Sequence, residues 1–168
     1  MRGVREPLTL IASGLFLCAF LTPFTGVLGF AGIALGMSDL RGSSVGTQLG
    51  WSRVTLSIAA WCSCAAWVLF FFHPKIELPQ LLLQALTIGG TGLALSRLAG
   101  AARARRLGSV MLGLCWMPLA FVPLVLLEKT VLAVVLWTVA VLALAIAALR
   151  LCALAGRFGM STGRPKHS

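Results

Sequence analysis

Cysteine and histidine have the greatest capacity for chemistry in this chain, and their placement argues against a reactive site. Cys62 and Cys64 lie two residues apart in an apolar run. On a helix their side chains would point about 200° apart and could not meet for thiol exchange. His73 stands just before a proline, and the other histidine, His167, lies in the C-terminal tail. A metal site needs further ligands at a fixed spacing. We therefore expect no metal, no cofactor and no catalytic residue.

The acidic residues also fail to indicate a site within a membrane. Pumps and proton-coupled carriers place carboxylates inside transmembrane segments. In this chain all four acids flank apolar runs near a Lys or Arg: Glu6, Asp39, Glu77 and Glu128. A membrane enzyme that works through its loops is the weakest alternative, because the segments 38–53 and 97–108 offer no histidine and one acid, Asp39. The chain is predicted not to be an enzyme.

A stripe of mild polar residues is the best candidate for a polar site. Gln84, Thr87 and Thr91 fall at spacings of three and four, so they share one face of a helix, and Gln80 lies one turn earlier on the same side. Two interpretations are open. The stripe forms hydrogen bonds with a neighbouring helix, or it lines a polar path through an oligomer.

Small residues form the strongest pattern in the sequence. Gly29, Gly32 and Gly36 include a G-x-x-x-G step, which lets a second helix approach closely. By contrast, the run 131–149 is rich in Val, Leu and Ala and carries one polar residue, Thr138. We expect that run to face lipid.

The composition indicates a polytopic, all-α integral membrane protein. Of the 168 residues, 59% are hydrophobic and 11% are charged, whereas a soluble domain carries about a quarter charged residues. Residues 1–156 are predicted to form a single membrane domain and 157–168 a disordered cytoplasmic tail. The domain would comprise an N-terminal hairpin and four crossings, at residues 8–37, 54–72, 80–97, 108–127 and 130–150.

The first apolar run, residues 8–37, could be one crossing or a hairpin. A straight helix over its 30 residues would be about 45 Å long, against a hydrocarbon core of about 30 Å. Pro23 would end the first arm of a hairpin, and Gly26 permits a positive φ. The polar backbone groups at the tip would then need partners, from Thr22, Thr25 or other helices.

Charge favours the hairpin. With a hairpin and a cytoplasmic N-terminus, 12 of the 14 Lys and Arg lie inside and only Lys75 and Lys129 lie outside. One crossing with the N-terminus outside gives a split of 10 to 4, because Arg2 and Arg5 move out. A cleaved signal peptide is a third interpretation, but no A-x-A site follows the apolar stretch. We expect a multi-pass protein of the cell (inner) membrane with both termini in the cytoplasm.

One segment resembles a known family. The pattern "GVLGFAGIALGMSDLRG…GTQLGWSRVTLSIAA" within residues 17–60 resembles a short glycine-rich membrane domain of unknown function common in actinobacteria. The resemblance implies a bacterial membrane protein with an apolar hairpin, a Gly-rich polar loop and a further helix. It implies no activity. The histidine usual in that family is absent, since Ser38 and Asp39 stand in its place.

These patterns predict a small, non-enzymatic membrane protein that acts through helix packing, as an accessory or scaffold subunit. The alternative is a small oligomeric transporter or channel with a polar path along Gln84, Thr87 and Thr91. Expected partners are the bilayer and other membrane subunits or further copies of the chain, and nucleic acid is not among them. Arg103, Arg105 and Arg106 form a basic segment that we expect either to set the topology or to contact anionic lipid headgroups or an acidic partner.

Overall fold

The computed structural model describes residues 2–40, 49–72, 78–101 and 104–159. Within these ranges the secondary structure is entirely helical, which confirms the predicted all-α class. The helices are α1 (Arg2–Cys18), α2 (Pro23–Asp39), α3 (Trp51–Phe70), α4 (Leu78–Ala101), α5 (Arg105–Leu114), α6 (Met117–Leu126) and α7 (Thr130–Gly159). Helix α7 thus continues into the segment predicted to be a disordered tail, and residues 160–168 lie outside the described part.

The first apolar run is a hairpin, and α1 and α2 pack against each other along their length. Pro23 occupies the first turn of α2, where its missing N–H costs nothing. The N–H of Thr25 donates to Thr22 Oγ1 at 3.2 Å, which caps the helix. The turn uses Leu21, with a φ of 45°, as its left-handed residue. The expectation for Gly26 was therefore wrong, because Gly26 lies inside α2.

Four further segments are long and apolar enough to cross a membrane, namely α3, α4, the α5–α6 pair and α7. These confirm the predicted number of crossings, with most boundaries moved outward by a few residues. The arms of the hairpin are shorter, at 17 residues each. Each arm measures about 25 Å, slightly less than a hydrocarbon core of about 30 Å.

The third crossing is broken in the middle. Helix α5 ends at Leu114, and α6 begins at Met117. Pro118 explains the break, because it has no N–H to donate and its ring would clash with the carbonyl four residues earlier, that of Leu114. The two short helices together still cover 22 residues, enough for one crossing.

The helices form a closed ring in which each helix packs on its neighbours in the sequence. Helix α4 contacts both α5 and α6, and α7 contacts α5, α6 and α1, so the last helix returns to the first. Consecutive membrane segments are antiparallel, with α5 and α6 counted as one segment. The start of α1 therefore lies at the same end of the bundle as the end of α7, and Cys152 Sγ donates to the carbonyl oxygen of Arg5 at 3.5 Å.

The expectation that residues 131–149 face lipid was wrong for one side of α7. Ala133, Trp137, Val141, Leu144 and Ala148 follow a helical spacing of three and four, and each is at most 1% exposed. Only the opposite side of this helix is exposed. The buried side packs against α1 and the α5–α6 pair.

Candidate functional site

The glycine stripe of α2 faces the other arm of the same hairpin. A Cβ atom added to Gly36 would lie 2.7 Å from the carbonyl oxygen of Pro7, and one added to Gly29 would lie 2.8 Å from that of Gly14. One added to Gly32 would lie 3.2 Å from the carbonyl oxygen of Leu10. The stripe therefore contacts α1 within the chain and does not present an open groove to another subunit.

Sequence reasoning missed two glycines that belong to the same packing. A Cβ atom on Gly14 would lie 2.6 Å from the carbonyl oxygen of Gly29, so both arms contribute a glycine where they meet. Gly26 makes room for the indole of Trp67 on α3, which lies 2.6 Å from the position of an added Cβ. The sequence signal for Gly14 was its position as the one glycine in the apolar part of the first arm, residues 8–18.

The polar stripe of α4 lies inside the bundle. Gln84, Thr87 and Thr91 are at most 3% exposed. Thr87 Oγ1 lies 3.2 Å from the hydroxyl of Ser63 on α3, and it donates to the carbonyl oxygen of Leu83 at 2.7 Å. Thr91 Oγ1 donates to the carbonyl oxygen of Thr87, also at 2.7 Å. Both threonine hydroxyl groups therefore donate to carbonyl oxygens of α4 itself, and Thr87 also contacts Ser63 on α3.

Three N–H donors in the same region have no acceptor. They are Nε2 of Gln80, Nε2 of Gln84 and Nε1 of Trp67, and each atom is buried. Because α3 and α4 are antiparallel and Ser63 meets Thr87, Trp67 and Gln84 both lie about one turn beyond that contact toward the start of α4. A buried unpaired donor costs about 1–3 kcal/mol. This part of the α3–α4 interface therefore contains three unsatisfied donors.

The tip of the hairpin is closed by α7, a contact that sequence reasoning missed. Trp137 Nε1 donates to the carbonyl oxygen of Cys18 at 2.9 Å. Thr138 Oγ1 donates to that of Ala19 at 3.2 Å. Helices end with unpaired carbonyl groups, which need partners within a membrane. The polar atoms of α7 therefore supply the partners that the hairpin requires.

Arginine side chains gather at the end of the bundle where α1 begins. Two of the three predicted basic residues, Arg105 and Arg106, are exposed there in the first turn of α5, while Arg103 lies outside the described residues. The exposed side chains of Arg5, Arg97 and Arg150 lie at the same end, on α1, α4 and α7. We call these five described residues the arginine surface. Glu128 and Lys129 lie at the opposite end, between α6 and α7.

The five cysteines are all free thiols. Cys62 is exposed on the outer side of α3 and Cys64 is buried, which agrees with the opposite directions expected for residues two apart. Cys64 Sγ donates to the carbonyl oxygen of Val27 on α2 at 3.5 Å. Among the described residues, no three His, Cys, Asp or Glu side chains are grouped to hold a metal ion. His73 and His167 lie outside that part of the chain.

No family model, curated protein or solved structure matches this chain. The resemblance of residues 17–60 to the glycine-rich actinobacterial domain therefore stays a prediction. The function proposed below rests on the arrangement of the described side chains. It comprises a buried polar contact between α3 and α4, a hairpin closed by α7, and an arginine surface at one end.

Proposed function

We propose that this chain is a non-enzymatic protein of the cell membrane that acts as an accessory or scaffold subunit. The observation that supports this most is the polar stripe of α4. The hydroxyl groups of Thr87 and Thr91 are bonded to carbonyl oxygens of α4 itself at 2.7 Å. Thr87 Oγ1 also lies 3.2 Å from the hydroxyl of Ser63 on α3, and this contact between helices, with the burial of Gln84, Thr87 and Thr91, favours helix packing over a water-filled path.

The proposal places the arginine surface and both termini in the cytoplasm. The antiparallel ring puts the starts of α1, α3 and α5 at one end, together with the ends of α2, α4 and α7. All the described arginines belong to that end. The positive-inside rule makes such an end cytoplasmic.

The outer side of α3 is the proposed contact surface for other membrane subunits or a second copy of the chain. Only 28% of the α3 span is buried, the same share as in the α5–α6 span, compared with 50% for α4. Ile58 and Leu69 project from it with exposures of 58% and 62%. The small side chains of Cys62 and Ala65 lie between them, also exposed, and small residues allow helices to approach closely.

Photo-crosslinking in native membranes tests this surface. A benzophenone amino acid in place of Trp61 on α3 is expected to give an adduct with a membrane subunit or with a second copy of the chain. The adduct partner and its linked residue are identified by mass spectrometry. Val139 is the matched control, because it is also exposed and lies near mid-membrane, on the outer side of α7. Equal crosslinking of both positions to lipid alone would contradict the proposal.

A small oligomeric transporter or channel is the second candidate, and the unpaired donors favour it. Nε2 of Gln84 and Nε2 of Gln80 are buried without a hydrogen-bond partner, so they are free to bind an acceptor on a passing solute. In this proposal Gln84, Thr87 and Thr91 would have to turn toward a path between copies of the chain. The two functions make opposite predictions for a substitution at Gln84.

Under the scaffold proposal, Gln84→Leu is expected to stabilise the protein. Leucine removes an unpaired buried donor while it keeps the apolar stem, so the free energy of unfolding should rise by about 1 kcal/mol. Ser63→Ala is the control with the opposite sign, because it removes the bond to Thr87. Unfolding in a detergent titration measures both. A Gln84→Leu variant that is less stable, and that abolishes solute flux measured in proteoliposomes, would support the transporter instead.

A further inference from the structure

We propose that the arginine surface is a binding site for anionic phospholipid headgroups, shared by four helices. It extends the proposed lipid contact of Arg105 and Arg106 to Arg5, Arg97 and Arg150, and it rests on the proposed cytoplasmic placement of this end. It does not depend on any partner subunit. The occupant is the phosphate of a membrane lipid.

The five arginines lie on neighbouring helices. Cys152 Sγ donates to the carbonyl oxygen of Arg5, so Arg5 on α1 and Arg150 on α7 lie at one level on adjacent helices. On the other side of α7, a Cβ atom added to Gly108 would lie 3.1 Å from the carbonyl oxygen of Ser96. The first turn of α5 therefore lies beside the turn of α4 that carries Arg97. Helix α7 contacts α5 as well as α1, so the helices that carry the five arginines are neighbours at this end of the bundle.

This surface carries more positive than negative charge. Helices α4, α5 and α7 contain no Asp or Glu, and the described carboxylates at this end are Glu6 on α1 and Asp39 at the end of α2. Arg105 and Arg106 also stand in the first turn of α5, which has no side-chain cap. Positive charge at a helix N-terminus is unfavourable, because the helix dipole already places partial positive charge there. An anion from outside the chain would relieve both effects.

The depth of the surface identifies the anion as a lipid phosphate. From Thr130 to Arg150, α7 rises about 30 Å, and from Leu78 to Arg97, α4 rises about 28 Å. Both distances equal the thickness of the hydrocarbon core, about 30 Å, so the guanidinium groups reach the layer of headgroups. A soluble acidic protein would contact residues farther from the membrane. The guanidinium fork also matches the oxygens of a phosphate and binds two of them at once.

Lipid binding to the purified full chain tests the proposal. Native mass spectrometry in a neutral detergent compares phosphatidylglycerol with phosphatidylcholine of the same acyl chains. The wild type is expected to bind phosphatidylglycerol preferentially. The triple variant Arg97→Gln, Arg105→Gln, Arg150→Gln should bind it about 100-fold more weakly, since each surface arginine contributes about fivefold. Lys129→Gln, at the opposite end, should bind as the wild type does.

A second triple variant, Arg97→Lys, Arg105→Lys, Arg150→Lys, tests the proposal if the glutamine variant does not fold. It keeps the positive charge and loses the guanidinium geometry that binds two phosphate oxygens at once. It should therefore retain the preference for phosphatidylglycerol with a weaker affinity. A wild type without that preference would overturn the proposal, as would a glutamine variant that binds normally. Displacement of the lipid by polyglutamate alone would assign the surface to an acidic protein instead. The assay contains no partner, so failure of the scaffold proposal would leave its result unchanged.

Discussion

Replacing Gly36 by leucine is expected to force apart the two arms of the N-terminal hairpin. The first atom of the new side chain would already lie 2.7 Å from the carbonyl oxygen of Pro7 and 3.1 Å from the backbone nitrogen of Ile11. Both are backbone atoms of α1, which cannot rotate away as a side chain can. Overpacking costs about 1–3 kcal/mol when side chains absorb it, and we expect about 3 kcal/mol or more here.

Thermal unfolding of the purified protein measures this loss. A thiol-reactive dye reports unfolding as Cys18, Cys64, Cys115 and Cys152 become accessible, with the exposed Cys62 replaced by alanine in every sample. Gly113→Leu is the matched control, because Gly113 is also helical and nothing lies within 4 Å of an added Cβ. If Gly36→Leu unfolds at the same temperature as Gly113→Leu, α1 and α2 do not pack as described.

The hairpin could be predicted from the sequence because two independent signals agreed. The arginines near the N-terminus and beyond Met37 favour one side of the membrane, and Pro23 has no N–H with which to continue a helix that runs into it. The residue that makes the turn could not be predicted. Leu21 adopts a φ of 45°, and Gly26, which has the freedom to do so, lies inside a helix against Trp67. The glycine serves close packing, and sequence alone does not separate these two uses.

The buried side of α7 could not be predicted from hydropathy, because lipid tails are as apolar as leucine side chains. A helix that faces lipid and one that faces protein therefore have the same composition. A weaker signal was present in side-chain size. Ala133, Ala140 and Ala148 lie on the buried side, and the bulkier Val135 and Val139 are exposed.

The polar stripe was placed on one face correctly by its spacing, yet its bonding depends on tertiary contacts. The meeting of Ser63 and Thr87 joins residues from two helices whose register depends on the loop between them. The same limit applies to the hydrogen bond that Trp137 makes with the end of α1. Its partner is a carbonyl group at the end of α1, a group that every residue carries and no sequence pattern marks.

Trp137→Ala is the second substitution with a large expected effect, because it opens the tip of the hairpin. Trp137 is 1% exposed, and its ring centre lies 4.9 Å from that of Phe121 on α6. Truncation of a buried aromatic side chain costs about 3–5 kcal/mol. The loss should fall at the upper end of that range, because the carbonyl oxygen of Cys18 also loses its donor.

Trp137→Phe separates the hydrogen bond from the packing. Phenylalanine keeps an aromatic ring against Phe121, and it removes the donor to Cys18 together with part of the indole volume, so we expect it to cost about 1–3 kcal/mol. Trp116→Ala is the control, because that indole is 66% exposed and its loss should change the unfolding temperature little. The dye assay ranks the three variants. The expected order of stability is Trp116→Ala, then Trp137→Phe, then Trp137→Ala. A Trp137→Phe variant as stable as the wild type would show that the indole N–H does not hold the end of α1, and α7 would then close the hairpin by packing alone.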